Sequence, residues 1–360
     1  MTHVTLVFPG GIEEGLAFAI EAKAKNEAVI GGSSLFNDPA REEYDHWVRL
    51  PYVSSPDFDR ELSAVIQKHG VTRIYAPHNV IWIYFDRLRQ GLLADVEIVN
   101  IAPQMLIQEK YRALKKRLTH ARPYDLSLPR GADREQLTTT EVLALFFHAN
   151  RIYGATDSEK MAGLIEIFLS APPGDIVEIG CLAGRSAFLL GWLARKYQLG
   201  QLLCIDPWSN ASVKKQQEHS QAVTAVIERN DFNIYFELFI TNMLGHCYGV
   251  VNYLRSESME AFKNYSLQSA ITSSEFGTTV YCREISILHI DGNHDYAYVN
   301  SDIRQWTTLL KPGGWLVVDD YQWAFGDGPK RALDQYLEEN FSLYELAFVM
   351  GGAMFMRKSA

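Results

Sequence analysis

The chain has 360 residues, and at about 100 to 200 residues per domain this length predicts two domains. Hydrophobic residues make up 47% and charged residues 21% of the sequence, which excludes disordered and collagen-like chains. The 34 Lys and Arg residues are outnumbered by 43 Asp and Glu residues, giving a net charge of −9. This acidic balance argues against nucleic acid and anionic membranes as partners.

The cysteines and the N-terminal segment indicate the compartment. The four cysteines are dispersed without CxxC spacing, which favours buried free thiols over a disulfide framework or a zinc site; they are Cys181, Cys204, Cys247 and Cys282. The N-terminal segment lacks a basic region followed by a long apolar stretch, and no run of about 18 apolar residues occurs. We therefore expect a cytoplasmic protein without membrane association.

The first hundred residues alternate short β-rich apolar runs with segments of helical spacing. The first strand ends in the turn sequence Pro9-Gly10-Gly11. We predict strands over residues 4–8, 28–30 and 73–76 and helices over residues 13–25, 57–69 and 80–89. This order predicts a small α/β domain.

A loosened pattern between residues 101 and 134 marks the boundary between two domains. It contains the basic stretch 110–118, followed by Pro123 and Pro129. A charge run of this kind is typical of a solvated helix face, and a polyanion-binding patch is the alternative. We predict an N-terminal α/β domain with its linker over residues 1–125 and a second domain over residues 126–360.

The second domain repeats a strand–helix order. A capping-box sequence begins at Thr138 and predicts helices as far as residue 170. We then predict strands over residues 175–179, 202–205, 285–290 and 315–318 and helices over residues 186–196, 220–228 and 298–310. This order predicts a mostly parallel sheet wrapped by helices, with ligands at the carboxyl ends of its strands.

Two of these strand ends suit a nucleoside-containing ligand. Gly180 and Gly184 lie between strand and helix, where a backbone without Cβ atoms can approach a ligand closely. Their GxxxG spacing differs from the GxGxxG of dinucleotide sites, which disfavours NAD. About twenty residues further on, Asp206 stands where a carboxylate can hold both ribose hydroxyls. Trp208 either packs on an adenine ring or fills the adjoining wall.

Two later strand ends carry carboxylates. Asp291 follows one apolar strand, and Asp319 and Asp320 follow another, so burial would penalise any unpaired charge there. Three carboxylates suit Mg²⁺ or another hard divalent cation, and the lack of a Cys/His cluster argues against zinc. The alternative is that Asp291 and Asp319 cap the following helix or turn and Asp320 pairs with a Lys or Arg. His289, within its strand pattern, is interpreted as a core histidine.

Four segments together carry a family resemblance, in the order VEIGCLAGRSA, CIDPW, HIDGNHDY and LLKPGGWLVVDDY. They resemble class I S-adenosylmethionine-dependent methyltransferases. More narrowly, they are similar to the metal-dependent sugar O-methyltransferases related to macrocin O-methyltransferase and to the cephalosporin-hydroxylase-like proteins. The resemblance covers residues 140–360 and implies a Rossmann-like methyltransferase domain.

The resemblance implies roles for individual residues. The expected cofactor-binding residues are Glu178, Gly180, Gly184, Arg185, Ser186, Asp206, Trp208 and Ser258. Glu257 precedes Ser258 in a segment that loosely matches the family's adenine-binding pair. It also implies Mg²⁺ on Asp291, Asp319 and Asp320. Some relatives use a carboxylate two residues after the first metal ligand as the base. Asn293 stands there in this chain, which leaves His294 as the expected catalytic base.

The implied activity is a Mg²⁺-dependent O-methyltransferase that methylates a hydroxyl of a small polyhydroxylated acceptor such as a sugar. The metal would acidify the hydroxyl and His294 would take its proton. The alternatives are a catalytically silent S-adenosylmethionine-binding module and a metal-dependent hydrolase. The N-terminal domain has Pro9-Gly10-Gly11 after its first strand and Ala-Pro-His-Asn at residues 76–79 after a later one, and it loosely resembles the Rossmann-like domain that precedes ATP-grasp domains. We expect a structural or substrate-recruiting role, with phosphate binding at the glycine turn as the alternative. Helices such as residues 141–148 could form a homo-oligomer interface.

Overall fold

The computed structural model describes residues 3–120, 134–216 and 229–360. The chain forms two compact units, Met1–Ala113 and Leu114–Ala360. The helix predicted over residues 220–228 and the linker prolines Pro123 and Pro129 lie outside the described residues. Among the described residues, no helix combines the length and apolarity that a membrane span needs.

The first unit contains a five-stranded parallel sheet in the order β3-β2-β1-β4-β5. Its strands are β1 (Val4–Val7), β2 (Ala28–Ser33), β3 (His46–Arg49), β4 (Arg73–Tyr75) and β5 (Glu97–Ile98). Its helices are α1 (Glu13–Ala24), α2 (Phe58–His69), α3 (Asn79–Arg87) and a 3-10 turn at Pro39–Glu43. The predicted strands and helices are confirmed to within a few residues. The sequence pattern missed β3 and β5, because each buries only one side chain and so lacks an apolar run.

The basic stretch 110–118 lies in a long helix, α4 (Pro103–His120). Most of its residues are exposed, and Leu114 is the buried exception within this stretch. This exposure fits a solvated helix face, and a polyanion-binding patch would require the same exposure. Residues 103–120 form regular structure where the sequence suggested the start of a linker.

The second unit contains a seven-stranded sheet in the order β13-β14-β12-β11-β6-β7-β8 and a separate β9-β10 hairpin. Its strands are β6 (Asp175–Ile179), β7 (Leu202–Ile205), β8 (Val251–Leu254), β9 (Ala270–Ser273), β10 (Gly277–Val280), β11 (Ile285–Ile290), β12 (Leu310–Val318), β13 (Tyr344–Met350) and β14 (Ala353–Lys358). Strand β14 is antiparallel to both of its neighbours, and the other pairings in the large sheet are parallel.

Helices cover both faces of this sheet. They are α5 (Thr139–Ala149), α6 (Ser158–Ser170), α7 (Arg185–Tyr197), α8 (Asn210–Val213), α9 (Phe232–Cys247), α10 (Ser258–Leu267), α11 (Tyr296–Trp306) and α12 (Gly328–Asn340), with 3-10 turns at Thr307–Leu309 and Phe341–Leu343. Helices α5, α6, α7 and α9 pack on one face and α10, α11 and α12 on the other. Strands covered on both faces favour apolar residues at most positions, which explains the largely apolar runs in the sequence.

Two local predictions in the second unit are confirmed. The Thr138 side chain accepts from the backbone of Glu141, and the Glu141 side chain accepts from the backbone of Thr138, so the capping box forms at α5. All four cysteines are free thiols, and three of them are buried while Cys282 is exposed. The parallel strands β6, β7, β8, β11 and β12 all end at one edge of the sheet, where their following loops meet.

Candidate functional site

A cavity of about 690 Å³ opens at this edge of the seven-stranded sheet, and all its lining residues belong to the second unit. The loops after β6, β7, β8, β11 and β12 all contribute to its wall. Predicted site residues that line it are Gly180, Arg185, Ser186, Asp206, Ser258, Asp291, His294 and Asp320. Glu178, Gly184, Trp208 and Asp319 do not line it.

The turn after β6 lies against the loop after β11. Gly180 has a φ of +86°, and a Cβ atom there would fall 2.0 Å from the carbonyl oxygen of Asp291. Only glycine fits this close approach. Gly184, with a φ of +90°, is the N-cap of α7, and its nearest neighbours are the side chains of Phe239 and Met243. Gly180 thus shapes the cavity, whereas Gly184 lets α7 begin against the core.

The carboxylate of Asp206 ties the ends of β6 and β7 together. Its Oδ2 accepts from the backbone N–H groups of Cys181 at 2.9 Å and Leu182 at 3.0 Å, and its Oδ1 accepts from that of Trp208 at 2.7 Å. Burial raises the pKa of Asp206, and these three hydrogen bonds oppose the shift. Asp206 therefore holds the glycine turn in place while it also faces the cavity.

Two residues expected at the cofactor are buried in the protein interior. Trp208 is fully buried, its Nε1 donates to the carbonyl of Leu182 at 2.7 Å, and its ring packs on Phe239. This placement favours the wall-filling alternative over packing on adenine. Glu178 is also fully buried, and its Oε1 lies 2.9 Å from Nδ1 of His289. The pair sits within the sheet, as a core histidine would, but His289 Nε2 and Glu178 Oε2 are buried without a hydrogen-bond partner among the described residues.

Arg185 orders one wall of the cavity. Its Nε donates to the carbonyl of Ala149 at 3.0 Å, and its Nη1 donates to that of Gly154 at 2.5 Å. These bonds attach the segment after α5 to the beginning of α7, and Tyr153 from that segment lines the cavity. The guanidinium group is therefore occupied by hydrogen bonds to backbone carbonyls. Ser186, the next residue, is buried at the cavity wall.

The loop after β8 brings Ser258 next to a residue that the sequence interpretation missed, Asp302 of α11. Ser258 Oγ accepts from Trp306 Nε1 at 2.9 Å, and Ser258 and Asp302 both line the cavity. Asp302 is 7% exposed and lines the cavity, and burial raises its pKa to about 7. The signal was present in the sequence, because Asp302 shares the inward face of α11 with Val299 and Trp306. Glu257 lines the same part of the cavity and accepts from Lys215 at 2.8 Å.

The three aspartates expected to bind metal have different surroundings. Asp319 is buried and contacts the ammonium group of Lys160, a buried residue of α6. Asp291 lies 3.9 Å from the same ammonium group. Although burial opposes it, Asp291 and Asp319 together raise the pKa of Lys160. A cation does compensate these carboxylates, as expected from their burial, but its source is a lysine that the sequence interpretation missed.

Asp320 faces the cavity and forms a pair with His294. The Oδ2 of Asp320 lies 2.7 Å from His294 Nε2, and His294 Nδ1 lies 3.2 Å from Oε1 of Gln216. The imidazole stacks on Trp323, with ring centroids 4.5 Å apart and planes 20° apart. The carboxylate and the stacking partner fix the orientation of the imidazole. Asn293, the neighbouring residue, accepts from the backbone N–H of Asp295.

A divalent cation fits part of the predicted ligand set. Asp291, His294 and Asp320 offer ligand atoms that all lie within 4.8 Å of one another, and all three residues line the cavity. Oxygen-rich groups beside open space suit a hard cation that keeps water or substrate ligands. Asp319 is not free in the same way, because Lys160 contacts it. The ligand atoms of His289, Asp291 and Asp319 are equally close, but His289 and Asp319 do not line the cavity, so the arrangement favours a site centred on Asp291 and Asp320.

Part of the second unit matches a known protein family. Residues 177–321 match the family model described as a methyltransferase domain. The match includes the strand ends that carry Asp206, Asp291 and Asp320. Together with the sheet described above, it confirms the predicted Rossmann-like α/β fold and the resemblance to class I methyltransferases.

Solved structures with similar folds include several methyltransferases. The O-methyltransferase NovP is 17% identical, with a TM-score of 0.41, over 55% of this chain and 80% of its own. The calicheamicin methyltransferase CalS11 is 16% identical, with a TM-score of 0.40, over 72% of this chain and 94% of its own. An O-methyltransferase from Bacillus cereus, in complex with SAH, is 15% identical, with a TM-score of 0.36, over 70% of this chain and 99% of its own. No curated protein matches the sequence.

Proposed function

We propose that this chain, whose residues 177–321 match a methyltransferase domain, is a class I S-adenosylmethionine-dependent enzyme that methylates a hydroxyl of a small polyhydroxylated acceptor such as a sugar. The observation that carries the proposal is that the His294–Asp320 pair faces the same cavity as Gly180 and Asp206. A base and the expected cofactor residues therefore share one enclosed space.

The order of the strands suggests how the cofactor lies. Asp206, after β7, is the proposed ribose ligand, and Gly180, after β6, is proposed to contact the methionine part. His294, after β11, lies on the opposite side of β6 from β7 in the sheet. The methyl group must reach His294, so the adenine is placed on the far side, towards β8. Ser258 and Asp302 line that side of the cavity.

The chain's own groups can carry the proton step. An alcohol is a poor nucleophile near neutral pH, so a base has to accept its proton as the oxygen attacks the methyl carbon and the carbon–sulfur bond breaks. Asp320 would hold Nε2–H of His294, and the acceptor hydroxyl would have to replace Gln216 Oε1 as the partner of Nδ1, so that Nδ1 can accept its proton. Asp320 then stabilises the imidazolium that forms, as an oriented carboxylate does in other acid–base pairs.

A divalent cation, proposed to be Mg²⁺, would be held by Asp291 and Asp320. When bound it would lower the pKa of the acceptor hydroxyl and help to align it with the methyl group. Two carboxylates and an imidazole at the cavity wall also accept hydrogen bonds from neighbouring hydroxyls. Tyr153 and Trp323 line the same cavity, and aromatic side chains of this kind pack against the apolar faces of a sugar ring.

The test combines binding with turnover. Calorimetry with S-adenosylhomocysteine, with and without Mg²⁺, measures cofactor binding, and transfer of labelled methyl groups to a panel of vicinal diols and sugars measures activity. We expect micromolar cofactor binding that survives EDTA and transfer that EDTA lowers. Binding without transfer to any acceptor would favour the silent binding module. A chain that binds no cofactor would contradict the proposal.

A further inference from the structure

Lys160 is a buried cation inside the carboxylate cluster. It lies in the first turn of α6, where its backbone N–H donates to the Asp157 N-cap at 2.8 Å. Its side chain is 4% exposed, it contacts Asp319, and its Nζ lies 3.9 Å from Asp291 Oδ2. Asp319 is 5% exposed, so both members of this ion pair are withdrawn from water. The side chains of Asp291 and Asp320, at 23% and 24%, are more exposed.

Because of this ion pair, Asp319 is less suited to bind a metal than Asp291 and Asp320. A divalent cation that used Asp319 as a ligand would have to displace the ammonium group, which would then be a buried charge without its partner. If both cations shared Asp319, they would repel each other at close range and at low dielectric. The other oxygen of Asp319, Oδ1, already accepts from the backbone N–H of Asp320 at 2.8 Å. Asp291 and Asp320 line the cavity, whereas Asp319 does not.

We infer that the ammonium group of Lys160 occupies Asp319 and prevents it from binding metal. The site then holds a divalent cation through Asp291 and Asp320, and it binds this cation more weakly than a three-aspartate site would. The inference rests on the proposed metal site. It assigns Lys160 a role in setting metal affinity, in addition to neutralising buried charge. A site of this kind exchanges its metal readily and keeps one positive charge near the reacting groups when the metal leaves.

The test measures the binding of Mn²⁺ alone to the full chain, using the electron paramagnetic resonance signal of free Mn²⁺. The variants are Lys160→Met and the double variant Lys160→Met/Asp319→Asn, which has the same cluster charge as the wild type. We expect Lys160→Met to bind Mn²⁺ at least about tenfold more tightly, because it gains a third free carboxylate and loses a repelling charge. The double variant should bind within about threefold of the wild type, since it restores the charge and removes the extra ligand.

The double variant also serves if Lys160→Met does not fold, because its buried site carries no unpaired charge. A double variant that binds Mn²⁺ tenfold more weakly than the wild type would show that Asp319 is a ligand and would overturn the inference. A folded Lys160→Met variant with no gain in affinity would overturn it as well. If the wild type binds no Mn²⁺ and Lys160→Met does, Lys160 excludes metal from the cluster, and both the two-aspartate site inferred here and the metal dependence of the proposed function fail.

Discussion

The candidate side chains are held by partners that come from distant parts of the chain. Asp206 receives backbone hydrogen bonds from the turn after β6, and Asp320 pairs with His294 from the loop after β11. The first arrangement shapes the proposed cofactor site, and the second prepares the proposed base. Substitutions at the two places should therefore affect binding and turnover separately.

His294→Gln should lower methyl transfer by about 10²- to 10⁴-fold, the usual contribution of a general base. The glutamine side chain can still bond to Asp320, so S-adenosylhomocysteine binding should stay within about threefold of the wild type. Single-turnover transfer and calorimetry measure the two effects. Asn293→Ala is the matched control and should lower methyl transfer by less than tenfold. A larger loss in Asn293→Ala than in His294→Gln would contradict the assignment of the base.

Asp206→Ala should weaken S-adenosylhomocysteine binding by at least about tenfold, because it removes the proposed ribose ligand and leaves two N–H groups of the glycine turn unpaired. Trp208→Phe is the comparison. It loses a buried hydrogen bond and some packing, so it should lower the melting temperature by a few degrees and leave the affinity within about threefold. Calorimetry and thermal melts distinguish the two. Equal losses of affinity in Asp206→Ala and Trp208→Phe would show that Trp208 contributes to cofactor binding.

Helix α11 carries both a core face and a cavity face. Val299, Ile303 and Trp306 pack into the core, and Asp302 lies on the same side at the cavity wall. Among the described residues, no Lys, Arg or His forms an ion pair with Asp302. A buried acid without a cation favours its protonated form, which makes the stability of this element depend on pH.

The sign of this dependence follows from the raised pKa of Asp302, which moves from 3.8 to about 7 on folding. Between these values the folded chain keeps a proton that the unfolded chain has lost, so the contribution of Asp302 to stability falls as pH rises through this window. Asp302→Asn mimics the protonated form. We expect it to raise the melting temperature at pH 8 by several degrees and to have little effect at pH 4.

Thermal melts between pH 4 and pH 8 measure the melting temperatures of the wild type and of Asp302→Asn. The exposed Asp95→Asn serves as the control and should shift the melting temperature equally little at both pH values. A shift of Asp302→Asn that is the same at pH 4 and pH 8 would show that folding does not raise the pKa of Asp302 and would contradict the prediction.

At the scale of the whole molecule, the cavity is built by one of the two compact units. Its lining residues run from Tyr153 to Trp323, within the unit Leu114–Ala360. The hydrophobic clusters on the two faces of the seven-stranded sheet also belong to that unit. The first unit has its own five-stranded sheet and its own core. Cofactor binding should therefore depend on the second unit by itself.

We expect a fragment of residues 114–360 to fold and to bind S-adenosylhomocysteine within about threefold of the full chain, because domains with their own core fold independently. Circular dichroism and calorimetry on the fragment and on the full chain make the comparison. Loss of cofactor binding by a folded fragment would show that the first unit contributes to the site. If the fragment binds cofactor but methylates no acceptor of the full chain, the first unit has a role in acceptor recruitment.

The amino-acid sequence alone determined the α/β order, the parallel sheet and the edge at which the site lies. These features are readable because they follow from local patterns: apolar runs such as β6 and β7, glycines after a strand, and acids such as Asp206 and Asp291 at strand ends. The capping box at α5 was readable for the same reason, since both of its residues lie within one turn.

Only the tertiary structure decided which charges meet. Lys160 and Asp319 are 159 residues apart in the chain, and Glu178 and His289 are 111 apart. No local pattern pairs such residues, because the partner of a buried charge is whichever group the folded sheet and helices bring within reach. The direction of the Trp208 side chain was decided in the same way, by the packing of α9 against it. The sequence located the acids, and the packing of distant elements selected which of them neutralise Lys160 and which face the cavity.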